Sequence, residues 1–263
     1  MAKPTRLDAE LVRRGLVRSR GEAGDAIAAG DVLVNGVPVD RAATMVAPDV
    51  SVALRKRPRR FVSRGGDKLE GALHDLDVEV AGRRWLDAGA STGGFTDCLL
   101  RRGAAEVVAV DVGYGQFDWG LRNDERVLVM ERLNVRDLRR EDLPWSPDAV
   151  VADLSFISLR LVIPALAGVA REDADLLVLV KPQFEVGRSR VGKGGVVRDP
   201  ALWRQAIDAV AGAAAAVDLG VAGATASPLP GPAGNREFFL HLRRGTAGGD
   251  QVIAAAIDRA PTT

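Results

Sequence analysis

Residues 83–113 read RRWLDAGASTGGFTDCLLRRGAAEVVAVDVG, and their order decides the fold. A short apolar strand, Trp85 to Ala88, runs into the turn Gly89-Ala90-Ser91-Thr92-Gly93-Gly94, and a helix begins near Phe95. Glycines permit positive φ and close backbone approach, while the helix amino terminus presents unpaired N–H groups. A second strand, Val107 to Val110, ends in Asp111, an acid placed to accept hydrogen bonds from a ribose diol. Downstream, strand-like runs keep alternating with helix-like segments, which predicts a doubly wound α/β domain.

A glycine turn alone does not choose the ligand, since NAD enzymes use the same device. The spacing here, Gly-x-Ser-x-Gly-Gly, departs from the dinucleotide fingerprint, and no lysine or arginine in the turn awaits a pyrophosphate. Asp87 stands at the strand's end, before the first glycine. An acid there suits a cationic ligand end, such as the ammonium or sulfonium of S-adenosylmethionine, better than a diphosphate.

A second stretch, LVLVKPQFEVG at 177–187, places a cation at the carboxyl end of an unbroken apolar run. In open α/β sheets that end is where ligands bind, although a lysine snorkelling from the sheet's rim would read the same locally. Lys181 has company. Asp153 ends another buried run, AVVAD, ahead of Leu154-Ser155-Phe156-Ile157-Ser158. Glu237 opens the late aromatic strand EFFLHL, and if that strand is antiparallel its start faces the same rim. Lys68, in the helix start VSRGGDKLEGAL, can lean over the pocket. One rim can therefore hold two lysines and two acids.

Bulk properties bound the rest. The chain has 263 residues, 47% hydrophobic and 27% charged, as in ordinary globular proteins. One cysteine, Cys98, excludes an internal disulfide, and His74 and His241 are too few for the usual zinc sites, so no metal is expected. Neither a signal-peptide core nor a long charge-free apolar stretch occurs, which predicts a cytoplasmic protein without stable membrane association. Residues 1–60 hold 12 Lys and Arg against 7 Asp and Glu, a balance of +5, while the remainder carries −4. A basic front on a mildly acidic body points to a polyanion-binding module.

That module resolves into parts. Leu7, Leu11 and Val12 share a helical face ended by Gly15; Ser19 and Glu22 form a capping box for a second helix that stops near Gly30. VLV and VPV flank Asn35-Gly36, a strong hairpin signal. Arg6, Arg13, Arg14, Arg18 and Arg20 gather around the helix junction as candidate phosphate contacts, and the connector RKRPRRFV adds Arg59 and Arg60. The glycine-rich stretch GRSRVGKGGVVR supplies Arg188 and Lys193 as further candidates for contact with the same polyanion.

The front resembles the small RNA-binding domain first known from ribosomal protein S-four, over about the first 60 residues, on Arg6-Leu7-Asp8, Gly15-Leu16, Ser19-Arg20, Gly30 and Val34-Asn35-Gly36. The rim residues resemble the tetrad of the RrmJ/FtsJ-like ribose 2′-O-methyltransferases. As a whole the chain resembles the TlyA family, on SRGGDKL, LDAGASTGGFTD, VDVGYGQ, VVADLSFISL, LVKPQFEVG and GNREFFL. That resemblance implies methyl transfer from S-adenosylmethionine to cytidine ribose in small- and large-subunit bacterial ribosomal RNA, influencing tuberactinomycin sensitivity. It implies catalytic places for Lys68, Asp153, Lys181 and Glu237. Cofactor places fall to Asp87, Gly89, Ser91, Gly93, Gly94, Phe95, Asp111 and Asn134, and Phe117 is a candidate for contact with adenine. The partition is 1–58 for the RNA-binding domain, 59–62 for the linker Arg59-Arg60-Phe61-Val62, and 63–263 for a Rossmann-like methyltransferase domain. The partner is ribosomal RNA or ribosomal subunits, and no protein partner is implied.

The chemistry explains the residue types. A ribose hydroxyl is a poor nucleophile and the sulfonium a strong methyl donor, so the enzyme must align the two and handle one proton. A lysine can do this when desolvation and a second cation lower its pKa, whereas Asp153 and Glu237 raise it and fix the amine's orientation. Rival readings are an RNA-binding protein with a vestigial methyltransferase fold, a membrane-active haemolysin and an NAD-dependent oxidoreductase. For the haemolysin, AIDAVAGAAAAVDLG lacks the aromatic and basic faces of an interfacial helix. Trp85, Trp119, Trp145 and Trp203 are expected in the core or at hinges, and Asp199-Pro200 is expected to start a helix.

Overall fold

The structure, a computed structural model, describes residues 4–17, 19–55 and 60–260. The chain divides into two units, Met1–Arg59 and Arg60–Thr263. Arg18 and Arg59 lie outside the described residues, as does the side chain of Lys193.

The first unit comprises β1 (Thr5–Arg6), α1 (Leu7–Arg13), α2 (Arg20–Ala28), β2 (Val32–Val34), β3 (Val37–Pro38), β4 (Met45–Val46) and β5 (Val52–Leu54). Gly15 and Gly30, at φ +68° and +69°, follow the two helices in the left-handed region. Ser19 Oγ accepts from Glu22 N at 3.2 Å and caps α2. Asn35 and Gly36 both take positive φ, as a two-residue turn between β2 and β3 demands. Leu7, Leu11, Ala23, Ile27, Val32, Val46 and Val52 make a core of their own.

The second unit begins with α3 (Arg64–Asp75), β6 (Arg84–Ala88), α4 (Gly94–Arg101), β7 (Glu106–Asp111), α5 (Trp119–Arg122) and β8 (Val127–Glu131). It continues with β9 (Ala149–Ala152), α6 (Ile163–Val169), β10 (Asp175–Val180), α7 (Pro182–Glu185), α8 (Pro200–Ala215), β11 (Leu219–Ala226), β12 (Phe238–Arg244) and α9 (Asp250–Asp258). Seven strands form one sheet in the order β11-β12-β10-β9-β6-β7-β8. The five strands from β10 to β8 run parallel, and β12 is antiparallel to both of its neighbours. Alternate strand residues feed two cores: Leu86, Val108, Val150 and Val178 on one face, Trp85, Val107, Val151 and Leu177 on the other. Burial on both faces is why the central strands read as continuous apolar runs.

Trp85 and Trp203 are buried, but Trp119 is 79% exposed, against the expectation of a core or hinge residue. It is the first residue of α5, a single turn capped by Asp118 in which no residue is buried. Asp199 Oδ1 accepts from Ala201 N at 2.9 Å and starts α8. Among the described residues, no helix is long and apolar enough to cross a membrane.

Candidate functional site

The parallel strands end at one rim, and the reversed strand β12 starts there. Val180 pairs with Phe238, so Lys181 and Glu237 are the next residues along two neighbouring strands. Ala152 pairs with Ala88 across β9 and β6, which sets Asp153 beside Gly89. The rim thus carries, in order, Glu237, Lys181, Asp153, the glycine turn and Asp111.

Lys181 Nζ stands 2.6 Å from Asp153 Oδ1, outside the angle a hydrogen bond needs, and donates to Ser155 Oγ at 2.9 Å. Lys68, reaching in from α3, donates from Nζ to Glu237 Oε2 at 2.7 Å, and both side chains are buried. Ser63 holds the start of α3, accepting from Gly65 N at 3.3 Å. All four tetrad candidates therefore sit at the rim as two lysine–carboxylate pairs.

Beside them opens a cavity of about 540 Å³ lined by Gly89, Ser91, Asp111, Gln116, Asn134, Asp153 and Ser155, among others. Gly89, at φ +87°, turns the chain where an added Cβ would meet Asp153 O at 2.6 Å. Asp111 accepts from Ser91 N at 2.8 Å and Gly113 N at 2.6 Å, which ties the turn to the end of β7. Asn134 accepts through Oδ1 from Arg136 N at 3.0 Å and caps a short turn on the same wall.

The other expected cofactor residues lie behind this wall. Asp87 is fully buried and accepts from Thr96 Oγ1 at 2.7 Å, while its second oxygen has no protein partner. Burial pushes its carboxyl up to about 7; the Thr96 hydrogen bond opposes the rise, and Asp153 and Asp111 add to it. Gly93 and Gly94 serve packing: a Cβ would meet Leu121 Cδ1 at 2.6 Å in the first and would collide with Ser63 Oγ in the second. Phe95 stacks on Phe239 with ring centroids 6.0 Å apart, and Phe117 packs with Ala90 and Ala109. None of these five lines the cavity.

Two rim residues escaped the sequence reading. Phe156 is 92% exposed and takes φ +65°, a left-handed conformation that a bulky side chain adopts only under constraint. Its ring lies 5.2 Å from that of Phe184, and it lines the cavity four residues beyond Ala152, the last residue of β9. Ser155, the partner of Lys181, precedes it. The segment is held by Glu185, which accepts from Ser158 Oγ at 2.5 Å and Leu159 N at 2.8 Å. The available signal was an aromatic three residues after Asp153, in the segment that leaves the end of β9.

The basic candidates divide by what holds them. In the first unit, Asp8 accepts from Arg6 Nε and Nη2, each at 3.1 Å, and from Arg20 Nη2 at 2.7 Å. Glu10 accepts from Arg13 Nη2 and Arg14 Nε, both at 2.6 Å. Arg14 also donates to Val50 O and Pro48 O, so its guanidinium serves the unit itself. In the second unit, Arg60 pairs with Glu70 at 2.5 Å, and Arg188 is exposed in a short turn.

A doubly wound sheet with one reversed strand, a glycine turn after β6 and an acid at the end of β7 is the architecture of a Rossmann-like methyltransferase. The FtsJ-like methyltransferase family model matches residues 61–244, and that of the S4 domain matches residues 5–52. The 16S/23S rRNA (cytidine-2'-O)-methyltransferase TlyA of Mycobacterium tuberculosis is 55% identical over 256 residues, 97% of this chain and 94% of that protein. YqxC of Bacillus subtilis, a candidate rRNA methyltransferase, is 45% identical over 92% of this chain and 86% of its own. A solved candidate hemolysin from Streptococcus thermophilus superposes with a TM-score of 0.76 at 36% identity, covering 98% of this chain and 97% of that one. The chain belongs to the TlyA family of FtsJ-like methyltransferases that carry an amino-terminal S4 domain.

Proposed function

We propose that the protein methylates the 2′-hydroxyl of cytidine ribose in small- and large-subunit ribosomal RNA, with S-adenosylmethionine as donor. The observation that carries this reading is the pairing of Lys181 with Asp153 and of Lys68 with Glu237 at the rim beside the cavity. Two amines and two acids next to a nucleoside-sized space suit a reaction that must move one hydroxyl proton and little else.

The residues present fit the cofactor. Asp111 and Asn134 offer oxygens on one wall of the cavity, and Asp153 brings an acid to the other. Asp87 adds an unpartnered buried oxygen behind the glycine turn. S-adenosylmethionine, when bound, supplies an electrophilic methyl group. Gly89, Ser91, Asp111 and Asn134 would hold its nucleoside, and Asp87 would act through the turn it supports. Gly93, Gly94, Phe95 and Phe117 shape that turn from behind.

Lys181 is assigned to orient the ribose hydroxyl and receive its proton. Asp153 and Ser155 aim its amine, and Lys68, fixed by Glu237, is the neighbouring cation. Phe156 is assigned to the RNA side, where an exposed ring at the mouth of the cavity can stack on an unpaired base. The S4 domain, residues 1–58, carries the broader RNA contact through Arg6, Arg13 and Arg20. The connector 59–62 leads into the methyltransferase domain, 63–263. A cytoplasmic location and an influence on tuberactinomycin sensitivity belong to the same reading.

Incorporation of labelled methyl into separated ribosomal subunits and into naked ribosomal RNA, both lacking the modification, tests this. Ribose labelling at a cytidine is expected in each subunit; label on a base, on protein, or nowhere would overturn the assignment.

A further inference from the structure

Asp8 is an acid on the face where the first unit is assigned to meet a polyanion, and its carboxylate is only 8% exposed. Bulk electrostatics makes such a residue a liability, because it cancels a positive charge that RNA would use. Its contacts point elsewhere. One oxygen accepts from Arg6 Nε and from the backbone N–H of Ala9, and the other from Arg6 Nη2 and Arg20 Nη2. Arg6 ends β1 and Arg20 opens α2, so one carboxylate gathers guanidiniums from two elements. These hydrogen bonds, that from Arg6 foremost, hold the carboxyl well below the usual carboxylate range.

Both guanidiniums stay open to solvent on their outer sides, with Arg6 at 47% and Arg20 at 61% exposure. A guanidinium presents five N–H donors in a rigid fork, and Asp8 occupies only the inner edge. Held this way, two rotamer-rich side chains face outward together, and their mutual repulsion is neutralised from behind. Glu10 does the same for Arg13, which is 61% exposed.

We propose that Asp8 is a positioning residue for RNA binding: it fixes Arg6 and Arg20 as one paired phosphate clamp, and its negative charge strengthens the grip on RNA. This rests on the reading that the first unit binds RNA. The sign of the effect separates it from bulk electrostatics, under which removal of an acid tightens polyanion binding.

The test is equilibrium binding of the full-length chain to purified large-subunit ribosomal RNA over a range of salt concentrations. Wild type, Asp8→Asn, Arg6→Ala/Arg20→Ala and the triple variant are compared at a temperature where circular dichroism shows each folded. Asp8→Asn is expected to weaken binding about tenfold and to lower the slope of log K against log salt by about one, the loss of one organised phosphate contact. In the Arg6→Ala/Arg20→Ala background the same substitution should cause no weakening. Tighter binding by Asp8→Asn overturns the proposal, and so does equal weakening in both backgrounds, which is the mark of a general structural defect. If Arg6→Ala/Arg20→Ala binds as wild type does, the RNA reading of this face fails first and takes the proposal with it.

Discussion

Lys68 Nζ donates to Glu237 Oε2 at 2.7 Å, joining residues 169 positions apart inside the methyltransferase unit. A buried pair of this kind is costly to break from one side only, because the abandoned charge keeps its desolvation penalty. It also fixes the start of β12 against α3, next to Lys181.

Glu237→Gln should therefore destabilise the chain by about 3 kcal/mol, as expected when one partner of a buried ion pair is removed. Lys68→Met combined with Glu237→Gln should recover much of that stability while remaining inactive. Urea unfolding read beside methyl transfer checks both, and a stable double variant with normal activity would remove the pair from the catalytic account.

Asp87 gives a pH signature. Burial pushes its carboxyl up to about 7, whereas an unfolded aspartate ionises near 4. Between these values the native state binds more protons than the unfolded state, so stability falls as pH rises from about 4 to about 7 and stays lower above. Asp87→Asn lacks this loss. Its stability relative to wild type should rise over that window by on the order of 4 kcal/mol. Thermal unfolding at pH values on both sides of the window reads the difference, and a constant offset would contradict the assignment.

Phe156 is exposed and backbone-strained, so its side chain contributes little to the fold. Phe156→Ala should leave the unfolding midpoint unchanged while kcat/KM for RNA falls about tenfold or more, the scale of one lost base–aromatic stack. Phe156→Gly should unfold at higher denaturant than Phe156→Ala, because glycine relieves the strain at φ +65°. Unaltered activity with RNA would leave the strained ring without a role.

Much of this was legible in the sequence, for identifiable reasons. The continuous apolar runs that became β9 and β10 signal burial on both faces, and Asn35-Gly36 sets the hairpin of the first unit. Asp153, Lys181 and Glu237 end or precede such runs, so sheet geometry alone gathers them. What stayed hidden depends on depth and partners. The glycines of one turn divide: Gly89 lines the cavity, whereas Gly93 and Gly94 make room for Leu121 and Ser63. Arg14 looks like its basic neighbours, yet Glu10, Pro48 and Val50 absorb it. Phe156 and Trp119 are apolar letters in helix- and strand-rich surroundings, and only tertiary structure shows that both are exposed.

Lys181 is the residue to which the ribose proton is assigned. Lys181→Ala should be assayed beside wild type for labelled-methyl transfer to ribosomal subunits, with alkaline-resistance mapping of the product, and for cofactor binding by titration calorimetry. We expect loss of ribose methylation by at least about a hundredfold, the scale of a positioned proton acceptor, with cofactor affinity little changed. Ribose methylation at the wild-type rate, or loss of transfer and cofactor binding together, would contradict the role given to the lysine at the end of β10.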